Sequence, residues 1–258
     1  MADSSSKQTL TQPTHFPFHG ELHPAPKKLF EETVLMVPFY GSKKTSLKRH
    51  IEFLNELGYD VLHFQIYKNS LSLDQRIFSS DELMGIKHIW SDQIEALLNS
   101  IPGKKIIFAF SNPSASAIEA IAKRNAYDVT GLICDSGPSG NFFSSMVNYY
   151  THQDPIRFFP LRYLAAAGMS LLWSPDFMSN IQSDIEKLPE GFKILSIRGW
   201  KDKIIPAHFI DQIFDPHTNI VWQKLSLPQA GHLNGLRDFR DEYELPVRKF
   251  LESISTKI

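Results

Sequence analysis

Residues 104–124 read KKIIFAFSNPSASAIEAIAKR, and their reading decides the fold. The apolar run 106–110 breaks into Ser-Asn-Pro-Ser and then into small and aliphatic residues at helical spacing. This is the pattern of a buried strand that turns sharply into a helix. Pro113 suits the first helical turn, where its missing N–H costs nothing. The helix would aim its free N–H groups and the positive end of its dipole at the space in front of Ser111. Ala115 and Ala117 are small enough for the helix to approach the sheet closely. On these residues alone two roles stay open for Ser111: a reactive hydroxyl on a sharp turn, or a helix cap. No glycine stands between Gly103 and Gly131, so a tight turn here must form without glycine's freedom.

The same alternation extends outward. Apolar strand runs lie at 33–39 (TVLMVPF), 59–66 (YDVLHFQI), 129–135 (VTGLICD), 192–199 (FKILSIRG) and 219–227 (NIVWQKLSL). Between them, 45–58 places Leu47, Ile51, Leu54 and Leu57 at helical spacing and stops at Gly58. Residues 79–101 read as a helix capped by Ser80, with Asp81 and Glu82 in its first turn and Leu83, Ile86, Ile89, Ile94 and Leu97 on its core face. A closing helix falls near 241–254, and the Pro-rich segment 15–30 has room for a short edge strand. Strands alternating with helices give an α/β fold, a mostly parallel, doubly wound sheet covered on both faces.

One region breaks the alternation. Residues 137–191 carry no strand signal but are helical in pattern and rich in aromatics. A structureless loop of that length would be out of place in a compact domain. We read 141–190 as an inserted helical cap; ordinary outer-layer helices with an aromatic core face are the alternative. The chain then divides into a disordered, polar leader (1–15), a first part of the α/β core (16–140), the cap (141–190) and a second part of the core (191–258).

Composition narrows the function classes. The 258 residues are 42% hydrophobic and 12% aromatic, enough for a sizeable core, and the net charge is −1. A nucleic-acid partner would require a clustered basic face. The short cluster Lys43, Lys44, Lys48, Arg49 and His50 reads as a solvated loop and first helical turn. The single cysteine, Cys134, lies in an apolar run and reads as a small buried hydrophobe. The first residues lack the charged start and apolar core of a signal peptide, and no run is long and apolar enough to span a bilayer. A cytoplasmic protein without stable membrane insertion is expected. His152, His208 and His217 show no metal-ligand spacing, and His19 and His23 read as structural or exposed. No metal or other cofactor is expected.

In an open parallel sheet, sites form at the carboxyl ends of the strands. The first strand run ends in PFYGS (38–42), a turn able to aim backbone N–H groups at one point. The third is followed by Ser111. The fourth ends at Asp135, in ICDSGPSG. The fifth runs into RGWKDKIIP (198–206), with Asp202, and the sixth into LPQAGHLNGL (227–236), with His232. A serine, a carboxylate and a histidine after separate strands supply a nucleophile, its base and the group that orients the base.

From about Val34 to Leu251 the chain resembles the α/β-hydrolase superfamily. LMVPFYGS resembles the strand and oxyanion turn usually written with His-Gly, here replaced by Pro38-Phe39. GWKDKIIP resembles the acid-bearing turn, and LPQAGHLNGL the histidine loop. The order Ser…Asp…His fits that family. At the elbow the chain departs from it: Ala109-Phe110-Ser111-Asn112-Pro113 has proline where glycine is usual. The resemblance implies Ser111 as nucleophile, His232 as base and Asp202 as acid, with Tyr40 and Asn112 N–H groups holding the oxyanion. Ser114 is the alternative nucleophile and Asp135 the alternative acid. The insert occupies the family's lid position, where Phe142, Phe143, Tyr149, Tyr150, Phe158, Phe159 and Trp173 would form an apolar acyl pocket. The implied activity is hydrolysis of an ester or thioester with an apolar acyl group, a small-molecule substrate. Acyl transfer on the same triad, or an inactive scaffold that binds a ligand or partner, are the alternatives.

Overall fold

A computed structural model describes residues 16–43, 45–66 and 78–258. The leader at 1–15, and Lys44 of the basic cluster, lie outside the described residues. Among the described residues, seven strands form one sheet: β1 (Glu21–His23), β2 (Thr33–Val37), β3 (Asp60–His63), β4 (Lys105–Phe110), β5 (Val129–Asp135), β6 (Phe192–Gly199) and β7 (Ile220–Leu227). Their order is β1-β3-β2-β4-β5-β6-β7. Only β1, the short edge strand, runs antiparallel; the rest pair in parallel.

Alternation along each strand sends side chains to two cores. Leu35, Val37, Ile107, Ala109, Leu132 and Cys134 face one, and Val34, Met36, Ile106, Phe108, Phe110 and Ile133 the other. The first core is covered by α2 (Ile86–Ser100), α3 (Ser114–Lys123), α6 (Phe177–Glu186) and α7 (Ala207–Phe214). The second is covered by α1 (Lys48–Glu56), α8 (Gly235–Asp238) and α9 (Arg240–Ser253). Cys134 is a buried free thiol.

Three expectations are corrected. Helix α2 begins at Ile86, not at Ser80, because Gly85 holds φ 135° and lies so close to the Trp173 carbonyl that a Cβ would come within 2.4 Å of it. Leu83 consequently lies outside the helix and is exposed. His50 is not solvated: it packs edge-on against Phe108 and Phe110, and burial, with the Arg49 charge beside it, lowers its pKa to about 3. Exposed Lys48 and Arg49 belong to the same turn but point outward.

Between β5 and β6 stand α4 (Phe142–His152), α5 (Phe159–Trp173) and α6. Helix α6 sits in the sheet's outer layer, with Ile181 and Ile185 fully buried. Buried Lys87 ties it to α2 and α3 by reaching Asp184 and Glu119, both at 2.7 Å. Burial pushes the Glu119 carboxyl up, but the His88 hydrogen bond and the Lys87 charge outweigh it and hold the carboxyl at about 2. Helices α4 and α5 pack on each other and, with the strand ends, enclose a cavity of about 590 Å³.

Candidate active site

Ser111 follows the last residue of β4 and opens into the cavity. Its backbone is left-handed, φ +56°. A non-glycine residue in this region costs roughly 1–2 kcal/mol, so the surroundings must hold it there. The Ser111 N–H donates to the Asp135 carbonyl at 2.8 Å, and the Ser114 N–H closes back on the Ser111 carbonyl at 3.1 Å. Pro113, φ −55°, precedes α3 as its first-turn entry. The glycine missing from the turn is found on a neighbouring loop. A Cβ on Gly137 would lie 2.3 Å from the Ser111 carbonyl oxygen and 2.5 Å from its carbon. Gly137 therefore gives the turn its room, from a position the pattern around Ser111 cannot reveal.

The histidine loop follows β7. His232 places Nε2 3.2 Å from Ser111 Oγ and Nδ1 2.7 Å from Asp202 Oδ2. The short bond to the carboxylate selects the tautomer with the proton on Nδ1, leaving Nε2 to accept from the serine. Asp202 is buried, and its other oxygen accepts the Ile204 and Ile205 N–H groups at 2.8 and 2.9 Å. The turn and the loop are joined directly: Lys201 N–H donates to the Ala230 carbonyl at 2.9 Å. Gly199 allows this, since a Cβ there would meet the Ala230 oxygen at 2.3 Å.

Neither alternative residue reaches His232. Ser114 is fully buried in the first turn of α3. Asp135 is buried beneath the site, where its carboxylate accepts from Tyr243 Oη at 2.7 Å and Ser136 Oγ at 2.8 Å. Ser136 Oγ in turn accepts the Leu233 N–H at 3.1 Å, next to the catalytic candidate His232. Asp135 thus orients a prop under the histidine loop, a role that only the folded contacts reveal. Ser136→Ala removes that prop together with both hydrogen bonds of Ser136 Oγ, the one accepted from Leu233 N–H and the one donated to the Asp135 carboxylate, each worth about 1 kcal/mol. The expected result in an ester assay is a several-fold lower kcat with little change in KM.

Burial pushes the Asp135 carboxyl from an ordinary 3.8 up to about 6, against the Tyr243 and Ser136 hydrogen bonds. The folded state therefore holds this proton more tightly than the unfolded chain. Its stabilising contribution is present below about pH 4 and is lost as pH rises to about 6, an interval worth about 3 kcal/mol. Asp135→Asn, which keeps the shape without the proton, should gain stability relative to the native chain across that interval. Parallel urea titrations at pH 4 and pH 7 measure it; an equal difference at both pH values contradicts the assignment.

Tyr40 and Asn112 both line the cavity beside Ser111. The Asn112 N–H meets no acceptor among the described residues, while its side-chain oxygen accepts the Ser139 N–H at 3.2 Å. Tyr40 sits in the turn closed by Ser42 N–H to the Phe39 carbonyl, 3.1 Å, and its ring lies over Trp90. Of the aromatics expected to form an acyl pocket, Phe142, Tyr149, Tyr150 and Trp173 do line the cavity. Phe143, Phe158 and Phe159 do not line it and are exposed instead.

No family model matches the chain, and no curated protein matches it in sequence. Solved structures do. A highly thermostable carboxyl esterase from Bacillus coagulans, in complex with glycerol, superposes with a TM-score of 0.64 at 16% identity, over 91% of this chain and 93% of that one. An esterase of Pyrococcus furiosus gives 0.62 at 15% identity, over 92% and 86%. A monoacylglycerol lipase of Paleococcus ferrophilus gives 0.58 at 17%, over 91% and 100%. The chain has the α/β-hydrolase fold. Among the described residues no helix is long and apolar enough to cross a membrane.

Proposed function

We propose that this chain is a serine hydrolase acting on an ester or thioester with an apolar acyl group. One observation carries the reading. An unbroken line of contacts runs from Ser111 Oγ to His232 Nε2 and from His232 Nδ1 to Asp202, with Ser111 and His232 both lining the cavity. His232 takes the serine proton as Ser111 Oγ attacks the acyl carbon. The oxyanion that forms is held by the N–H groups of Asn112 and Tyr40. His232 then hands its proton to the leaving oxygen or sulfur, the carbon–heteroatom bond breaks, and Ser111 carries the acyl group. Water, deprotonated by the same imidazole, releases the acid. Asp202 keeps the ring oriented and stabilises its cation throughout.

In this reading the cap expected at 141–190 is carried by α4 and α5, which roof the serine, while α6 packs in the sheet's outer layer. The apolar wall of Trp90, Phe142 and Trp173 favours an apolar acyl chain of limited length. A series of p-nitrophenyl esters tests this: turnover should rise from acetate to medium chains and fall once the cavity is filled. No turnover of any member by folded protein would instead favour an inactive, ligand-binding scaffold. Acyl transfer would use the same acyl-enzyme with an alcohol or thiol in place of water, and product analysis with added acceptors separates the two.

A further inference from the structure

One face of α4 looks into the cavity. Ser145, Tyr149 and Gln153 recur on it every four residues, with Met146 and Tyr150 in the row beside them. Ser145 is engaged with Ser139, Oγ to Oγ at 2.7 Å. The Tyr149 and Tyr150 phenols and the Gln153 amide meet no hydrogen-bond partner among the described residues. The two rings meet edge-on, 5.5 Å between centroids. Burial raises the pKa of both phenols, and the neighbouring Tyr40 and Asp154 raise it further. Both therefore keep their protons at neutral pH and can donate as well as accept.

The placement of this face is informative. Asn148, from the same turn of α4, donates to the Ile204 carbonyl at 3.2 Å. Ile204 N–H is one of the two donors that hold Asp202. Helix α4 is thus tied to the acid-bearing turn. A second wall of the cavity is apolar: Trp173 stacks on Phe142 at 5.0 Å and meets Trp90 edge-on at 5.4 Å. The cavity has two chemically different walls that open on one serine and one histidine.

An ester divides at its carbonyl in a matching way. His232 must return a proton to the alcohol oxygen, so the alcohol half lies on the histidine side. We propose that Tyr149, Tyr150 and Gln153 form the subsite for that half, and that the alcohol is a neutral polyol. Each hydroxyl of a polyol donates and accepts, which is what two phenols and an amide can answer. An anionic alcohol half finds less here, because Arg237, which also lines the cavity, already gives Nε and Nη2 to Asp238 at 2.7 and 2.8 Å. A plain alkyl alcohol would displace water from these groups and leave them unpaired.

This inference rests on the serine-hydrolase reading and adds the identity of the leaving group. The test uses the full chain and two butyrate esters, 1-monobutyrylglycerol and propyl butyrate. Acyl group and carbon count are identical; only the free hydroxyls differ. The expected kcat/KM favours the glycerol ester by roughly tenfold or more. In Tyr149→Phe/Tyr150→Phe the ratio should fall toward one, with each single variant between. A ratio near one in the native chain, with both esters cleaved, overturns the subsite and leaves the hydrolase reading standing. A ratio that survives the double substitution overturns the tyrosine assignment. Turnover of neither ester also overturns the subsite; the hydrolase reading falls with it only if Ser111 fails to take a fluorophosphonate label as well.

Discussion

Replacement of Ser111 by alanine should abolish turnover, with a loss of at least about 10⁴-fold in kcat. The reason is chemical: without Oγ there is nothing to carry the acyl group, and His232 is left with water as its only partner. The fold should survive, because among the described residues the Ser111 side chain makes a single hydrogen bond, to His232 at 3.2 Å, and the backbone bonds of the turn are untouched. Ser111→Gly separates chemistry from strain. It removes the same nucleophile but relieves a φ of +56° that only glycine adopts freely. The glycine variant should therefore melt higher than the alanine variant, by an amount corresponding to about 1 kcal/mol, while both are inactive. Steady-state kinetics and thermal melts on the three proteins check this. Activity retained in either variant would mean that Ser111 is not the nucleophile.

The second large effect is expected at Gly137. A methyl group there meets the Ser111 carbonyl at 2.3 Å, and the atom it meets is backbone, which cannot rotate away as a side chain can. Either the loop after β5 or the serine turn must move. Overpacking of this kind costs about 1–3 kcal/mol. A displacement of the serine by about 1 Å would cost a further 10²-fold in rate. Gly137→Ala should thus lose both stability and activity. Gly168→Ala is the matched contrast in stability. It lies within α5, a Cβ there meets nothing within 4 Å, and the substitution should stabilise slightly through helix propensity. A Gly137→Ala variant as stable and as active as the native chain would contradict the assigned source of the turn's room.

Much of this was legible in the sequence because it depends on local pattern. Apolar runs such as TVLMV and KIIFAF become the central strands β2 and β4, each buried on both faces. Ser111, Asp202 and His232 each stand just past a strand end, and there they meet within hydrogen-bond reach. What pattern could not carry are contacts between distant segments. Gly137 relieves the Ser111 turn only because β4 and β5 are neighbours. Asp135 looks like a second acid until Tyr243 and Ser136 are seen to occupy it. Ser80 has the chemistry of a cap, yet the helix starts after Gly85, where the Trp173 carbonyl leaves no space for a side chain. The aromatic segment before β6 reads as one unit, but α6 joins the core layer while α4 and α5 roof the cavity.

The measurement that bears most directly on the Ser111–His232–Asp202 assignment is intact and peptide mass spectrometry after incubation with a fluorophosphonate. The expected result is one covalent adduct per chain, on Ser111, formed far more slowly in His232→Ala although the melting temperature is kept. Folded protein that takes no adduct, or one that carries it on another residue, would contradict the assignment.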